Sequence, residues 1–141
     1  DYSLRRFAEV EISKIALDFD RNKLQDCSID QPEIGTYYGV SQICFKGWVL
    51  GKREKITTDQ IIGNHGQVIK EIPANFPRAD VNLLHPENPN SEFCGFCETI
   101  ELRNLSEQTE LLFQAVLKDG TYAKFAQVKI SYSHKISTVP W

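Results

Sequence analysis

Two apolar runs on either side of an Asp-Gly turn constrain the fold of this chain more than any other feature. The first run, LLFQAVL, covers residues 111–117, and the second covers residues 122–130. The dipeptide Asp119-Gly120 lies between them, and it is a strong signal for a two-residue hairpin turn because Asp and Gly tolerate the backbone conformations that such turns need. These residues therefore predict an antiparallel β-hairpin.

Other short runs of strand-forming residues recur along most of the chain. They cover residues 10–17, 41–50, 56–62, 68–72 and 94–105. Turn-forming residues separate the runs, and no long amphipathic helix is predicted. The composition, with 141 residues of which 41% are hydrophobic and 25% charged, fits one domain with a single core. The pattern predicts an all-β, immunoglobulin-like antiparallel sandwich of about seven to eight strands.

The run SQICFKGWVL at residues 41–50 predicts a strand in the middle of a sheet. It carries apolar side chains on both faces, with Phe45 on one face and Cys44 and Trp48 on the other. Such a pattern is typical of strands that are covered on both sides. Gly47 predicts a bulge or a close approach of another backbone, and Trp48 is predicted to lie in the core.

Several stretches lack a strand pattern. Residues 1–8 predict an irregular lead-in, and residues 18–40 predict a long connection with room for one short edge strand. Residues 73–93 contain four prolines and predict a long surface excursion. Residues 105–114 are ambiguous and fit a short turn, and the tail that ends at Trp141 predicts a linker.

The predicted domain covers residues 1–141, with its core at residues 9–131. Residues 58–72 within it predict a second hairpin, around the turn GNHG. The sequence contains no methionine, and we interpret the chain as a domain excised from a longer protein.

Charge and motif content argue against several classes of function. The net charge is −3 and basic residues form no continuous cluster, so no nucleic-acid partner is expected. No apolar run reaches the roughly 18 residues that a membrane span needs, and the N-terminus does not resemble a signal peptide, so we expect no membrane insertion and a cytoplasmic location. The sequence lacks the phosphate-binding, dinucleotide-binding and nucleophile-elbow motifs, and it predicts no cofactor and no catalytic residue.

The CxxC formed by Cys94 and Cys97 has three interpretations. A redox pair would need a helix N-terminus to stabilise its thiolate, whereas a strand pattern follows here. A zinc site would need further ligands, for which Cys27, Cys44, His65 and His85 are candidates. We favour the third interpretation, in which the thiols pack as small apolar side chains.

A second candidate site surrounds Arg78 and Asp80. Arg78 is expected to bind Asp80 or loop carbonyls and so to hold the long excursion against the sandwich. Alternatively, the two residues bind a sugar together with Asn75 and the aromatic ring of Phe76. Two further aromatic residues, Tyr37 and Tyr38, are predicted to be exposed near turns and to offer ring faces for stacking.

Several short motifs, taken in order, resemble a family of β-sandwich modules. They are Gly47-Trp48, Asp59–Ile62 with Gly66, Pro77–Val81, Gly95-Phe96 and Ala115–Gly120. Modules of this kind accompany bacterial, notably cyanobacterial, glycosyltransferases and related methyl- and sulfotransferases of surface-polysaccharide synthesis. The family's usual loop reads Pro-Arg-Pro-Asp-Val, and this chain has Ala79 in place of the second proline.

The resemblance implies a non-catalytic accessory domain of a glycosyltransferase-type protein. Its expected partners are the catalytic domain of the same chain and a carbohydrate, such as a glycan or acceptor that the module binds or positions. The alternative is a protein–protein interaction sandwich without a carbohydrate role, which would pair through an exposed edge strand or an apolar patch.

Overall fold

In the described part of the chain, nine strands form two antiparallel sheets whose inner faces enclose the main core. This computed structural model describes residues 2–140, with side chains described for residues 6–136. The strands are β1 (Tyr2–Leu17), β2 (Leu24–Gln31), β3 (Gly35–Tyr38), β4 (Gln42–Gly51), β5 (Ile56–Ile62), β6 (Val68–Pro73), β7 (Gly95–Glu101), β8 (Gln108–Leu117) and β9 (Tyr122–Pro140). The helical elements are α1 (Ala79–Leu84) and two 3-10 turns, Ser91–Phe93 and Leu102–Asn104.

The large sheet has the strand order β3-β1-β9-β8-β5-β6, and the small sheet has the order β2-β4-β7. Every strand pair is antiparallel. The prediction of an all-β sandwich is therefore confirmed, with nine strands where about seven to eight were expected.

Strands β8 and β9 form the hairpin that the Asp-Gly turn predicts. The turn itself is one residue longer than expected, because the Leu117 N–H donates to the Thr121 carbonyl at 2.8 Å and leaves three residues between them. Gly120 has a φ of 86°. Among residues 2–140, only glycines have a positive φ. The loop is therefore a three-residue hairpin loop with glycine in the left-handed position, rather than a two-residue turn.

Four phenylalanine rings join the two sheets at the centre of the main core. Phe45 and Phe96 come from the small sheet, Phe113 and Phe125 come from the large sheet, and all four are fully buried. Their ring centroids lie 5.5 Å apart for Phe45 and Phe113 and 6.1 Å apart for Phe113 and Phe125, in tilted geometry. Such pairs contribute about 0.5–1.5 kcal/mol each beyond the burial of their area.

Strand β4 lies between β2 and β7, as predicted for a strand that is apolar on both faces. Gly47 permits a close approach of β2, because a Cβ atom there would lie 2.2 Å from the Ser28 carbonyl oxygen. The ring of Phe96 on β7 is also close, because it would lie 2.9 Å from a Cβ atom at residue 47. The predicted close approach at this glycine is confirmed.

Trp48 is buried, but outside the main core. It points to the face of β4 opposite to Phe45 and Val49, because successive side chains of a strand alternate between faces. On that outer face Trp48 forms a second cluster with Leu50, Val81 and Cys94. The excursion after β6, which contains α1, thus covers one end of the small sheet.

Asn88 attaches the excursion to the sheet below it. Its Nδ2 donates to the Gly51 carbonyl at 2.9 Å and to Oε1 of Gln25 at 2.8 Å. A buried amide that is satisfied by both a backbone and a side-chain partner is costly to displace. The excursion predicted as a surface loop is therefore a packed third layer over part of the small sheet.

Two predictions at the chain ends are wrong. Strand β1 already begins at Tyr2, where a lead-in was predicted, and β9 continues to Pro140, where a linker was predicted. Strand β1 pairs with β9 from one end to the other, from Tyr2↔Pro140 to Leu17↔Ala126. Residues 1 and 141 lie outside the described residues. The ends lack apolar alternation because this ribbon extends past the core, and its strands are held by backbone hydrogen bonds to each other.

The predicted connection at residues 18–40 contains two strands rather than one short one. Strand β2 forms one edge of the small sheet and β3 forms one edge of the large sheet. Edge strands need fewer apolar residues than central strands, which explains why the sequence pattern missed β2. Similarly, β8 begins at Gln108, within the stretch predicted to be a short turn.

Candidate functional site

The residues predicted to bind carbohydrate fall into two separate groups. Tyr37 and Tyr38 lie on β3, at one edge of the large sheet. Asn75, Phe76 and the Arg78–Asp80 segment follow β6, which forms the opposite edge. The fold therefore does not bring the two groups together into a single site.

Arg78 is engaged in holding the excursion. Its Nε and Nη2 donate to the two carboxylate oxygens of Asp80 at 2.9 and 2.8 Å, and its Nη1 donates to Asp30 on β2 at 2.6 Å. The hydrogen bonds from Arg78 lower the pKa of Asp80 to about 2, and those to Asp80 raise the pKa of Arg78. The side chain of Arg78 is only 11% exposed. Arg78 is therefore a clamp that holds the excursion against the small sheet, which is the structural role expected from the sequence.

Phe76 is the aromatic residue of this group that offers a ring face. The residue is 37% exposed, and the ammonium group of Lys46 lies 5.3 Å from the ring centroid. The backbone of Phe76 is held by two hydrogen bonds with Gly95, each of 2.9 Å. On β3, Tyr38 is 65% exposed, whereas the Tyr37 hydroxyl donates to the Glu33 carbonyl at 2.7 Å.

Cys94 and Cys97 do not face each other. Cys94 is buried beneath the excursion, where its thiol donates to the Ser91 carbonyl at 3.3 Å and burial raises its pKa to about 11. Cys97 is exposed on β7. Within the described part of the chain, no group of three or more His, Cys, Asp or Glu side chains could hold a metal ion.

A groove of about 610 Å³ lies at one end of the sandwich. We call it the end groove. Four segments line it, namely strand β1, strand β9, the link from β3 to β4 and the segment at the end of β7. The lining residues are Arg6, Phe7, Ala8, Gly39, Val40, Ser41, Glu101, Leu102, Arg103, Tyr132 and His134.

The end groove exists because the ribbon of β1 and β9 extends past the end of the small sheet. Val10 on β1 is fully buried in the main core. Ala8 and Arg6 lie on the same face of the strand, since side chains alternate with a period of two. Their neighbours on β9 share that face, with Tyr132 opposite Val10 and His134 opposite Ala8. The inner face of the large sheet therefore becomes an accessible wall of the groove.

The chemistry of the end groove combines ring faces with cations. The Tyr132 hydroxyl donates to the Leu105 carbonyl at 2.7 Å, which fixes its ring in place, and the His134 ring meets it edge-on with centroids 6.1 Å apart. Arg103 forms an ion pair with Glu101. Counting two arginines against one glutamate, the lining has a formal charge of +1 with His134 neutral, on a chain whose net charge is −3.

Sequence reasoning did not identify the end groove. Its residues come from four segments that are distant in sequence, and Arg6 and His134 lie in stretches that were predicted to be irregular. One signal was available, because Ala8, Val10 and Ile12 alternate with polar residues in the same way as residues 130–134. Two such segments at opposite ends of the chain are a pattern that paired strands would produce.

A buried carboxyl group lies elsewhere, between the sheets. Asp59 on β5 is fully buried among apolar partners, opposite Ala115 on β8 and Ile72 on β6. Neither of its carboxylate oxygens has a hydrogen-bond partner among the described residues. Burial consequently raises the pKa of Asp59 well above its ordinary value of 3.8. Its inaccessibility separates it from any surface site.

No protein-family model matches this chain, and it has no detectable similarity to a curated protein or to a solved structure. The resemblance to modules of glycosyltransferases consequently stays a prediction. Among the described residues, no helix is both long enough and apolar enough to cross a membrane.

Proposed function

We propose that this chain is a non-catalytic accessory domain of a glycosyltransferase-type protein, and that it binds an acidic saccharide in the end groove. The observation that carries the proposal is the groove itself, with a volume of about 610 Å³ and a lining that includes Tyr132, His134 and two arginines. Bound in this way, the saccharide would be positioned for the catalytic domain of the same chain. The assignment to that class of protein rests on the sequence resemblance.

The residue types of the end groove support saccharide recognition. Small-ligand sites are typically clefts of about 300–1,000 Å³ with apolar and aromatic walls and a few well-placed polar groups. Tyr132 and the buried Leu102 supply apolar surface, and the ring nitrogens of His134 supply hydrogen-bonding groups for hydroxyls.

The charge of the end groove supports an acidic ligand over a neutral one. Arginine binds carboxylate, sulfate and phosphate groups through paired N–H donors. Arg103 is 80% exposed in its ion pair with Glu101, so an anionic ligand can compete for it. A local positive charge on an acidic protein would also attract such a ligand selectively.

An NMR titration of the ¹⁵N-labelled chain tests this function. The probes are an oligosaccharide that contains uronic acid and a neutral oligosaccharide of the same length. We expect shifts at residues 6–8, 39–41 and 101–103 with the acidic probe, and weaker binding as salt is added. Shifts confined to Tyr38 or Phe76, or equal affinity for both probes, would contradict the proposal.

Two matched variants sharpen the test. Arg6→Gln and His134→Ala should each weaken binding of the acidic probe, by about tenfold for the loss of one charge-assisted hydrogen bond. Phe76→Ala at the other predicted site is the control and should leave the affinity unchanged. If Phe76→Ala weakened binding and the other two variants did not, the binding site would lie near Phe76 rather than in the end groove.

The protein-interaction alternative is favoured by one observation on the excursion. Leu83 is 81% exposed and Leu84 is 73% exposed on α1, and contiguous exposed apolar surface often marks an interaction site. If this alternative holds, sedimentation will show a concentration-dependent dimer that Leu83→Ser dissociates. The control Ile34→Ser, at a residue that is 63% exposed elsewhere, should leave that dimer intact.

A further inference from the structure

Cys44 and Cys97 are neighbours across the small sheet, although they lie far apart in the sequence. In the antiparallel pairing of β4 with β7, Cys44 is opposite Thr99 and Cys97 is opposite Lys46. The two cysteines are therefore diagonal partners on the same face, where side chains come within reach of each other. Cys97 is among the groups that raise the pKa of Cys44, after the larger effect of burial.

That face is open to solvent at this end of the small sheet. The side chains that alternate with the cysteines, Phe45 and Phe96, point inward and are fully buried. The excursion covers Trp48 and Leu50 further along β4. Cys97 is exposed and Cys44 is partly buried, so small oxidants reach both thiols.

We propose that Cys44 and Cys97 form a reversible disulfide when the protein meets a peroxide, and that this pair, rather than the CxxC, is the redox-active site of the chain. The site is independent of the end groove and of the proposed saccharide. It joins the central strand β4 to the edge strand β7.

The reaction proceeds in two balanced steps. The thiolate of Cys97 attacks one oxygen of hydrogen peroxide, the O–O bond breaks, and a sulfenic acid and hydroxide form. The thiolate of Cys44 then attacks the Cys97 sulfur, the S–O bond breaks, and the second hydroxide leaves. The two thiol protons convert the two hydroxides into water, so two thiols and one peroxide give one disulfide and two waters. Cys97 reacts first because it is the more exposed thiol.

The geometry also accounts for reversibility. Diagonal partners in a sheet are about 7–8 Å apart, and an unstrained disulfide has Cα atoms about 4.4–6.8 Å apart. Closing the bond therefore requires a small shift of β7, which its position at the sheet edge allows. A bond that is formed at the expense of such a shift is more easily reduced by dithiols.

The other two cysteines are protected. Burial raises the pKa of Cys27 to about 12 and that of Cys94 to about 11, so both are protonated at neutral pH. Protonated buried thiols react poorly with peroxides. Oxidation should therefore stop after two of the four thiols of the chain have been consumed.

The test treats the folded chain with hydrogen peroxide and then blocks and counts its thiols. We expect two thiols to remain after denaturation, a monomer on a non-reducing gel, and full recovery of four thiols with dithiothreitol. After digestion of this product with trypsin, the disulfide should link the peptide of residues 24–46 to the peptide of residues 79–103. Each of these peptides contains two cysteines. Fragment ions, or the same digest of a Cys27→Ala, Cys94→Ala background, assign the bond to Cys44 and Cys97.

Single variants separate the two roles. In Cys44→Ser the sulfenic acid of Cys97 should persist and be trapped by dimedone, whereas Cys97→Ser should lose no thiol to peroxide at the dose that oxidises the unmodified chain. A bond between Cys94 and Cys97, a dimer linked through Cys97, or four intact thiols after that treatment would each overturn the proposal.

Discussion

The substitution Asp59→Asn is expected to stabilise the protein at neutral pH and to leave its stability unchanged in acid. Asp59 is fully buried and its carboxylate oxygens have no hydrogen-bond partner among the described residues. Burial raises the pKa of this carboxyl group above 3.8 in the folded state. The folded protein therefore retains the proton that the unfolded chain releases as the pH rises.

The sign and slope follow from proton linkage. Below pH 3.8 both states are protonated, and Asp59 has no effect on the pH dependence of stability. Between 3.8 and the raised pKa, the free energy of unfolding falls by about 1.4 kcal/mol for each pH unit, because only the unfolded state gains from ionisation. Asparagine has nearly the same shape and no proton to lose, so this loss is absent in the variant.

Urea unfolding between pH 3 and pH 8 measures the effect, followed by circular dichroism and by the fluorescence of the buried Trp48. The free energies of the unmodified chain and of Asp59→Asn should coincide near pH 3 and diverge steadily above pH 4. Glu11→Gln, at an exposed position on β1, is the matched control and should not produce the divergence. Parallel curves for the chain and for Asp59→Asn would refute the reasoning that Asp59 is neutral in the folded state.

Three further substitutions test the packing of the fold. Gly47→Ala should destabilise the protein by at least about 1–3 kcal/mol, since the new Cβ would lie 2.2 Å from the Ser28 carbonyl oxygen; a urea midpoint equal to that of the unmodified chain would contradict it. Gly120→Ala should lower the free energy of unfolding by about 1–2 kcal/mol, because alanine disfavours the φ of 86° although the space around the residue is open. The same urea titration should show a smaller loss of stability than for Gly47→Ala. Arg78→Lys should leave the global midpoint nearly unchanged but accelerate amide exchange at residues 74–94, because lysine cannot reproduce the paired hydrogen bonds; equal exchange would show that the clamp is dispensable.

Local signals predicted the parts of the fold in which neighbouring residues determine the structure. The hairpin around Asp119-Gly120 and the central strand at residues 42–51 were both predicted, because turn residues and burial on two faces each produce a pattern within a few adjacent residues. The length of the hairpin loop was not predicted, because it depends on Gly120 being the one residue of the loop at 118–120 that has a positive φ. Whether the loop has two or three residues depends on the twist of the flanking strands.

Long-range pairing accounts for most of what the sequence did not indicate. The ribbon of β1 and β9 derives its stability from hydrogen bonds between segments at opposite ends of the chain, and such pairing requires no apolar pattern in either segment. The same holds for sites. Arg78 and Asp80 are two residues apart and were correctly paired. The cysteine that lies diagonally across from Cys97 is Cys44 on the adjacent strand, and the CxxC motif does not indicate it.

The register of the ribbon also determines how this domain connects to anything covalently attached to it. Tyr2 and Pro140 are paired residues on adjacent strands, which places the two ends about 5 Å apart. A polypeptide that passed through the domain would enter and leave at one point, so a host loop could accommodate it without being spread open. The ends could equally be joined by a short turn, with new ends opened at the exposed residues 64–66, to give a circular permutant. Since the same ribbon supplies Arg6 and His134, a domain joined at residue 2 or 140 would be connected through the strand pair that forms one wall of the end groove.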